Sequence, residues 1–393
     1  MDKVMTPFWN YAVTFLPMWM APNLVTLIGF IVIILSAFQY LPFDLSLAKE
    51  CNPICYALSG LAFFIYQTLD AIDGKQARRT GQSSPLGQLF DHGCDAWSTI
   101  FMIYTPMQVF RFGTNFAFFQ YFFLLMVGFY TANWEEYHTD VLRTSLNGFG
   151  LTECQLLMIS MLLVEGFTQG KMSQITMRDL GVFIAPSVSE TQVQTKIQYL
   201  LNSTIIHEQD SKQLLHVQDK VHSFAELKMI QVILIVATST IIWQAYSNIT
   251  TVYAKSKKPF SEQMSGLLPL VIIAAFLFAS FKFTNEAWAS PALVVFGIGP
   301  FFSLCCSRII IGSVSKTKFS LLEHFHLTLP TLFFIALLPV NKIFSLHLSE
   351  KVIFFAMIGV GLFTYFLYIV NTIGQITQCL DIYCLSIKKP KGG

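Results

Sequence analysis

Four aspartates gather in one short stretch of a chain that is otherwise poor in charge. Asp70-Ala71-Ile72-Asp73-Gly74-Lys75-Gln76-Ala77-Arg78 is followed, after eight residues, by Gly87-Gln88-Leu89-Phe90-Asp91-His92-Gly93-Cys94-Asp95. On a helix, the spacing of Asp70 to Asp73 and of Asp91 to Asp95 puts each pair of carboxylates on one face. The connection over 80–86 holds Gly81, Ser83, Ser84 and Pro85. It is short enough to make the two helices antiparallel neighbours, so that all four carboxylates converge. Four unpaired anions at that density repel one another. Hard divalent cations remove the conflict, and oxygen ligands suit Mg²⁺, Mn²⁺ or Ca²⁺. Two such ions bridged by aspartates form a clamp for a diphosphate and for phosphoryl transfer. Gly74, Ala77 and Gly87 are small enough to let a nucleotide or the facing helix approach the backbone. Arg78 offers a fork of donors suited to a phosphate. The plainer alternative is a structural network of these aspartates with Lys75, Arg78 and Arg79 at a membrane surface. The number of acids and their fixed order with the small residues favour a site.

The elements that must carry these residues are membrane helices. The chain of 393 residues is 54% hydrophobic and 12% charged, with 38 phenylalanines, whereas a soluble domain carries about 25% charged residues. That is too little charge to cover a soluble core. Acids inside apolar spans are costly and functional by default. The near-neutral net charge gives no reason to expect a nucleic-acid partner. The eight cysteines show no zinc spacing and read as small apolar residues; only Cys51 and Cys55 are close enough in sequence to raise the question of a bridge. The N-terminus lacks the pattern of a cleaved signal peptide.

The expected fold is an all-α polytopic membrane protein of about ten transmembrane helices, each needing about 20 apolar residues, preceded by an N-terminal interfacial amphipathic helix. The expected spans are Asn23–Phe43, Ile54–Asp73, Gly87–Phe110, Phe116–Trp134, Thr152–Phe167, Met229–Tyr246, Met264–Phe281, Trp288–Ile309, Leu321–Pro339 and Val352–Thr372. The interfacial helix is placed at Pro7–Met20, whose Trp9, Tyr11, Phe15 and Trp19 suit the headgroup level. Residues 1–22 then form the interfacial segment, 23–246 the catalytic helices with a lumenal loop at about 169–228, and 247–393 the C-terminal helices and a basic tail. Lys75, Arg78 and Arg79, Lys255, Lys257 and Lys258, Lys316 and Lys318, and Lys388, Lys389 and Lys391 all fall on the side of the termini. The opposite short loops hold only Lys49, Arg111, Lys282, Lys342 and Lys351. This bias places the termini and the aspartates in the cytosol. The sequon at Asn202 falls on the opposite side.

The aspartate segment resembles the signature of the CDP-alcohol phosphotransferase family, D-x2-D-G-x2-A-R-x8-G-x3-D-x3-D, with every defined position matched. The neighbouring stretches Pro7-Phe8-Trp9-Asn10, Ala21-Pro22-Asn23, Ser84-Pro85-Leu86-Gly87, Phe90-Asp91-His92-Gly93-Cys94-Asp95 and Trp134-Glu135-Glu136-Tyr137-His138-Thr139 look like its choline/ethanolamine branch. The resemblance is dense over the first 150 residues and rests on topology beyond them. It implies an endoplasmic reticulum or Golgi enzyme, a homodimer, that transfers phosphocholine or phosphoethanolamine from the CDP-alcohol to diacylglycerol and releases CMP.

By the resemblance, Asp70, Asp73, Asp91 and Asp95 hold two metal ions, Mg²⁺ or Mn²⁺. Arg78 holds the diphosphate, and Asn23 contacts the nucleotide; as plain chemistry, Asn23 is also a common helix N-cap. The acceptor hydroxyl must lose a proton. Asp95 would be a weak base on a divalent metal, whereas a histidine titrates near pH 6.5, so His92 is the expected general base. Gln88, four residues earlier, is placed to orient the ring; the branch carries Glu there, which puts the rate or acceptor preference in question. Glu135, Glu136 and His138 either line an entrance for a cationic head group or cap a solvated helix end. His207, His216 and His222 read as solvated. A second acceptor or CDP-alcohol is the nearest alternative function. A divalent-cation transporter is more remote, since it would set its acids at mid-bilayer and often repeat them. A catalytically dead scaffold conflicts with the complete motif.

Overall fold

The computed structural model describes residues 2–387 apart from 115, 144, 147–148, 180–227 and 320–324. The sequon at Asn202, most of the expected lumenal loop with its three histidines, the start of the expected span at Leu321, and Lys388, Lys389 and Lys391 lie outside the described residues. Among the described residues the chain is largely helical. Its helices are α1 (Asp2–Ala12), α2 (Pro22–Phe38), α3 (Pro53–Thr80), α4 (Pro85–Val109), α5 (Phe116–Thr139), α6 (Leu151–Phe167), α7 (Met229–Lys255), α8 (Phe260–Ser265), α9 (Leu268–Phe283), α10 (Glu286–Ala289), α11 (Pro291–Ser315), α12 (Phe325–Ile343) and α13 (Glu350–Leu380). A small hairpin pairs Ser145–Leu146 with Phe149–Gly150.

The two helices of the motif have clear starts and stops. Asn52 caps α3, its side chain accepting from the Ile54 amide at 3.0 Å, and Pro53 follows in the first turn, where a missing N–H costs nothing. α3 ends at Gly81, whose φ of 66° is the left-handed closure that glycine adopts without strain. Ser84 then caps α4, accepting from the Gly87 amide at 3.2 Å, again with proline next.

Among the described residues six helical stretches are long and apolar enough to cross a bilayer: Pro53–Thr80, Met229–Lys255, Phe260–Phe283, Pro291–Ser315, His326–Ile343 and Glu350–Leu380. The protein is therefore an all-α, multi-pass membrane protein, but the expected count of ten is not met. α2 and α6 run for only 17 residues each, short of the bilayer core. α4 and α5 are long enough but are not among the six; in α4, Asp91, His92 and Asp95 dilute the apolar stretch.

α11 is the central post: 89% of its apolar stretch is buried, and α4, α5 and α13 pack around it. α13 is the opposite case, with Val352, Phe355, Phe363 and Phe366 exposed, as lipid-facing side chains are. α3 and α6 approach closely through glycine. A Cβ on Gly166 would stand 2.7 Å from the Ala57 backbone nitrogen, and one on Gly60 would stand 2.9 Å from that of Leu163. The motif helices are not joined as expected. α2 packs extensively on both α3 and α4, which touch each other much less.

The N-terminal helix covers Asp2–Ala12 and is continued by a single 3₁₀ turn at Val13–Phe15, rather than running over Pro7–Met20. Trp9 and Val13 are buried against Val25 and Ile72, while Tyr11, Phe15, Met18 and Trp19 are exposed. This is the two-sidedness of an interfacial segment. The last turns of α3 tie it down. Lys75 Nζ donates to Asn10 Oδ1 at 2.8 Å, Gln76 Nε2 to the carbonyls of Pro17 and Met20 at 3.0 Å, and Arg79 Nη1 to the Leu16 carbonyl at 3.1 Å.

Candidate functional site

Asp70 from α3 and Asp91 and Asp95 from α4 bring one carboxylate oxygen each to within 4.8 Å of one another. Three half-buried acids at this range are a ligand set that could hold a metal ion. The fourth aspartate is held a little apart. Asp73 is buried and accepts from the Thr26 hydroxyl of α2 at 2.5 Å. α2 thus contributes a hydrogen bond to the acidic cluster as well as packing.

The donor set fits a divalent cation. All the atoms offered are carboxylate oxygens, and Asp91 Oδ1 is buried without a hydrogen-bond partner. Such an atom costs free energy unless something compensates it, and a cation would. The alternative network of basic residues is not formed. Among the described residues, none of the four aspartates makes an ion pair with Lys75, Arg78 or Arg79. Lys75 and Arg79 are committed to the N-terminal segment instead.

Arg78 is exposed at the end of α3, with its guanidinium turned back beside Gly74. Ala77 is half-buried next to it. Gly87 lies against Asn23: a Cβ there would stand 3.7 Å from Asn23 Oδ1. Asn23 is not the N-cap of α2, a place taken by Ala21. It is buried, and its amide nitrogen donates at 2.9 Å to the carbonyl of Cys384. The chain reaches this point because Asp381 closes α13 in the left-handed region, φ 51°, with the Ile382 amide donating back to the Thr377 carbonyl. Cys384 is not bridged, and Cys51 and Cys55 are also free thiols.

His92 lies on α4 next to Asp91, and its Nδ1 is buried without a partner. Gln88 does not orient it. The Gln88 amide points across to α5 and donates to Glu136 Oε1 at 3.2 Å. The expected acidic entrance is changed as well. Glu135 is buried and accepts from Arg143 Nε at 2.5 Å, while His138 is buried with Nδ1 3.1 Å from the Ser256 hydroxyl.

Two contributors escaped the reading of the sequence. The Tyr66 hydroxyl donates to Asp95 Oδ1 at 2.6 Å. Its spacing of four from Asp70 put it on the acidic face, which was a usable signal. Thr26 on Asp73 carried none, because it comes from another helix with no motif of its own.

Comparison with known proteins agrees with this geometry. The family model for CDP-alcohol phosphatidyltransferase matches residues 19–185, which contain all four aspartates. An uncharacterized CDP-alcohol phosphatidyltransferase class-I family protein 3 of Dictyostelium discoideum is 30% identical over 98% of this chain and 92% of its own length. Cholinephosphotransferase 1 of Saccharomyces cerevisiae is 28% identical over 99% of this chain and 93% of its own. Cholinephosphotransferase 1 of Gallus gallus is 42% identical over 42% of this chain and 50% of its own. With a relative 30% identical over nearly the whole of both chains, the chain belongs to the CDP-alcohol phosphatidyltransferase class-I family, whose shared chemistry is transfer of a phosphoalcohol group from a CDP-alcohol.

Proposed function

We propose that this protein transfers phosphocholine, phosphoethanolamine or both from CDP-choline or CDP-ethanolamine to diacylglycerol, giving phosphatidylcholine or phosphatidylethanolamine and CMP. The observation that carries the reading is the convergence of Asp70, Asp91 and Asp95, with a buried, unpartnered Asp91 oxygen, one residue from His92. Asp70, Asp73, Asp91 and Asp95 would hold two ions, Mg²⁺ or Mn²⁺. Bound there, the ions would neutralise the diphosphate and polarise the phosphoryl group.

The chain's own residues supply the rest. Asn23, Gly74, Ala77 and Gly87 form the wall that the nucleotide lies against, and Arg78 reaches its phosphates. The lipid hydroxyl attacks the β-phosphorus, the one bearing the alcohol. The bond from that phosphorus to the bridging oxygen breaks, and CMP leaves. His92 accepts the hydroxyl proton as its oxygen bonds to phosphorus. Thr26 and Tyr66 fix Asp73 and Asp95 so that the acids keep their places as charge shifts.

The basic residues around 75–79, 255–258 and 316–318 support a cytosolic orientation of the site; an endoplasmic reticulum or Golgi membrane and a homodimer are what the resemblance to the choline/ethanolamine branch implies. The deciding experiment uses purified protein in liposomes with a panel of labelled CDP-alcohols and lipid acceptors. Phospholipid and CMP in equal amounts from diacylglycerol are expected. Turnover only with a different acceptor, such as ceramide or alkyl-acylglycerol, would reject the diacylglycerol assignment and keep the chemistry.

A further inference from the structure

A cavity lies away from the four aspartates, at the ends of α5, α7 and α11, with a volume of about 440 Å³. That is within the range of ligand pockets. Among the described residues, Lys255, Lys257, Lys258, Lys316 and Arg143 line it, against two acids, Glu135 and Asp140. Both acids are already engaged. Glu135 accepts from Arg143, and Asp140 accepts from Lys316 Nζ at 2.5 Å, a bond that holds the Asp140 carboxyl below its usual range. A third acid, Glu262, stands outside the lining with its Oε1 3.7 Å from Lys258 Nζ. Lys255 and Lys257 make no ion pair among the described residues.

Two features mark the cavity as built rather than as a solvated edge. His138 is 8% exposed; its Nδ1 is used by Ser256, and its Nε2 is buried with no partner. Lys258 Nζ sits 2.9 Å over the Tyr137 ring, and burial there pushes its ammonium down from the usual lysine value. An anion in the cavity would relieve that cost and give His138 Nε2 an acceptor. The location sets the kind of anion. α7 is an apolar spanning helix that ends at Lys255, so the cavity opens where its apolar run stops, at the level of lipid headgroups. It also adjoins a smaller cavity lined by Gln88 and Glu136, with which it shares Asp140, Ser313 and Lys316.

We propose that this cavity binds a phosphate group, presented by an anionic phospholipid of the same leaflet. Cations facing a lipid phosphate are its natural recognition chemistry. The site would admit a phosphate and reject the positively charged head groups expected from the sequence at Glu135 and Glu136.

The test is equilibrium binding of a fluorescent phosphatidic acid to the purified full chain in uncharged detergent. Saturable binding with one lipid per chain is expected. The variant Lys255→Gln/Lys257→Gln/Lys258→Gln should bind about a hundredfold more weakly, since each lysine near an anionic lipid contributes roughly fivefold. The matching Lys→Arg triple variant should bind as the parent does, which separates lost charge from lost fold. Asp91→Asn, in the other site, should leave binding unchanged, so the result stands apart from the proposed catalytic reading. Equal binding by the Gln variant would overturn the site. Displacement of the lipid by inorganic phosphate at similar concentration would overturn the lipid as its source.

Discussion

The Tyr66 hydroxyl donates to Asp95 Oδ1 at 2.6 Å, and Tyr66 stands one turn before Asp70 on the same helix face. One tyrosine therefore couples the two halves of the acidic motif: it is carried by α3 and grips a carboxylate of α4. Partners of metal-binding carboxylates typically matter by about 10- to 100-fold in metal affinity or activity. Tyr66→Phe is expected to cut turnover by about tenfold and to raise the Mg²⁺ concentration for half-maximal rate. Unchanged metal dependence would leave Tyr66 a packing residue.

The metal-holding role proposed for the aspartates predicts that chelation with EDTA abolishes activity and that Mg²⁺ or Mn²⁺ restores it. Asp91→Ala should lose at least about a hundredfold in turnover, because metal-borne charge stabilisation is worth several kcal/mol. Near-normal turnover in this variant would reject the two-metal reading.

His92→Ala separates proton transfer from binding. General-base help is worth about 10² to 10⁴ in rate, so turnover should fall by that factor. Binding of the CDP-alcohol, followed by calorimetry, should persist. If turnover is retained, the base is elsewhere, with Asp95 the nearest candidate.

Gln88 faces Glu136 at 3.2 Å rather than His92, and this changes what a carboxylate at position 88 would do. Gln88→Glu sets two acids against each other and should lower turnover modestly, by about two- to threefold, as exposed charge pairs usually do. The exchange Gln88→Glu/Glu136→Gln rebuilds the bond with roles reversed and should recover the rate. No recovery would show that position 88 acts on something other than Glu136.

The α3–α6 contact predicts a stability effect with no chemistry in it. A Cβ at Gly166 would meet the Ala57 backbone at 2.7 Å. Overpacking of this kind typically costs about 1–3 kcal/mol. Gly166→Ala should lower the midpoint of thermal unfolding in detergent, whereas Gly374→Ala on α13, where a Cβ meets nothing within 4 Å, should not.

The acidic site could be read from the sequence because its information is local. Helical spacing set Asp70 with Asp73 and Asp91 with Asp95, and both pairs lie within single helices, α3 and α4. What failed was contact between distant segments. The short turn at 80–86 suggested that α3 and α4 pack side by side, yet α2 lies against both and supplies Thr26 to Asp73. Gln88 was assigned to His92 by spacing on one helix, but α5 offered a nearer acceptor. Glu135 looked like a free acid until the fold set Arg143 on it. The span count failed for a related reason. Hydropathy carries the first span on to Phe43, whereas α2 stops at Phe38, and it admits a span at Thr152–Phe167 that, like α6 itself, is short for a bilayer.

The hydrogen bond from Asn23 to the carbonyl of Cys384 joins residues 361 positions apart. Seen in the order of synthesis, this gives the site a timetable. Both acidic helices have left the ribosome long before Cys384 is translated, so a nascent chain carries every aspartate while the wall around Asn23 is still open. That wall closes only after α13 has been inserted and the chain has turned at Asp381. The first apolar helix thus gains a contact from a segment translated after α13.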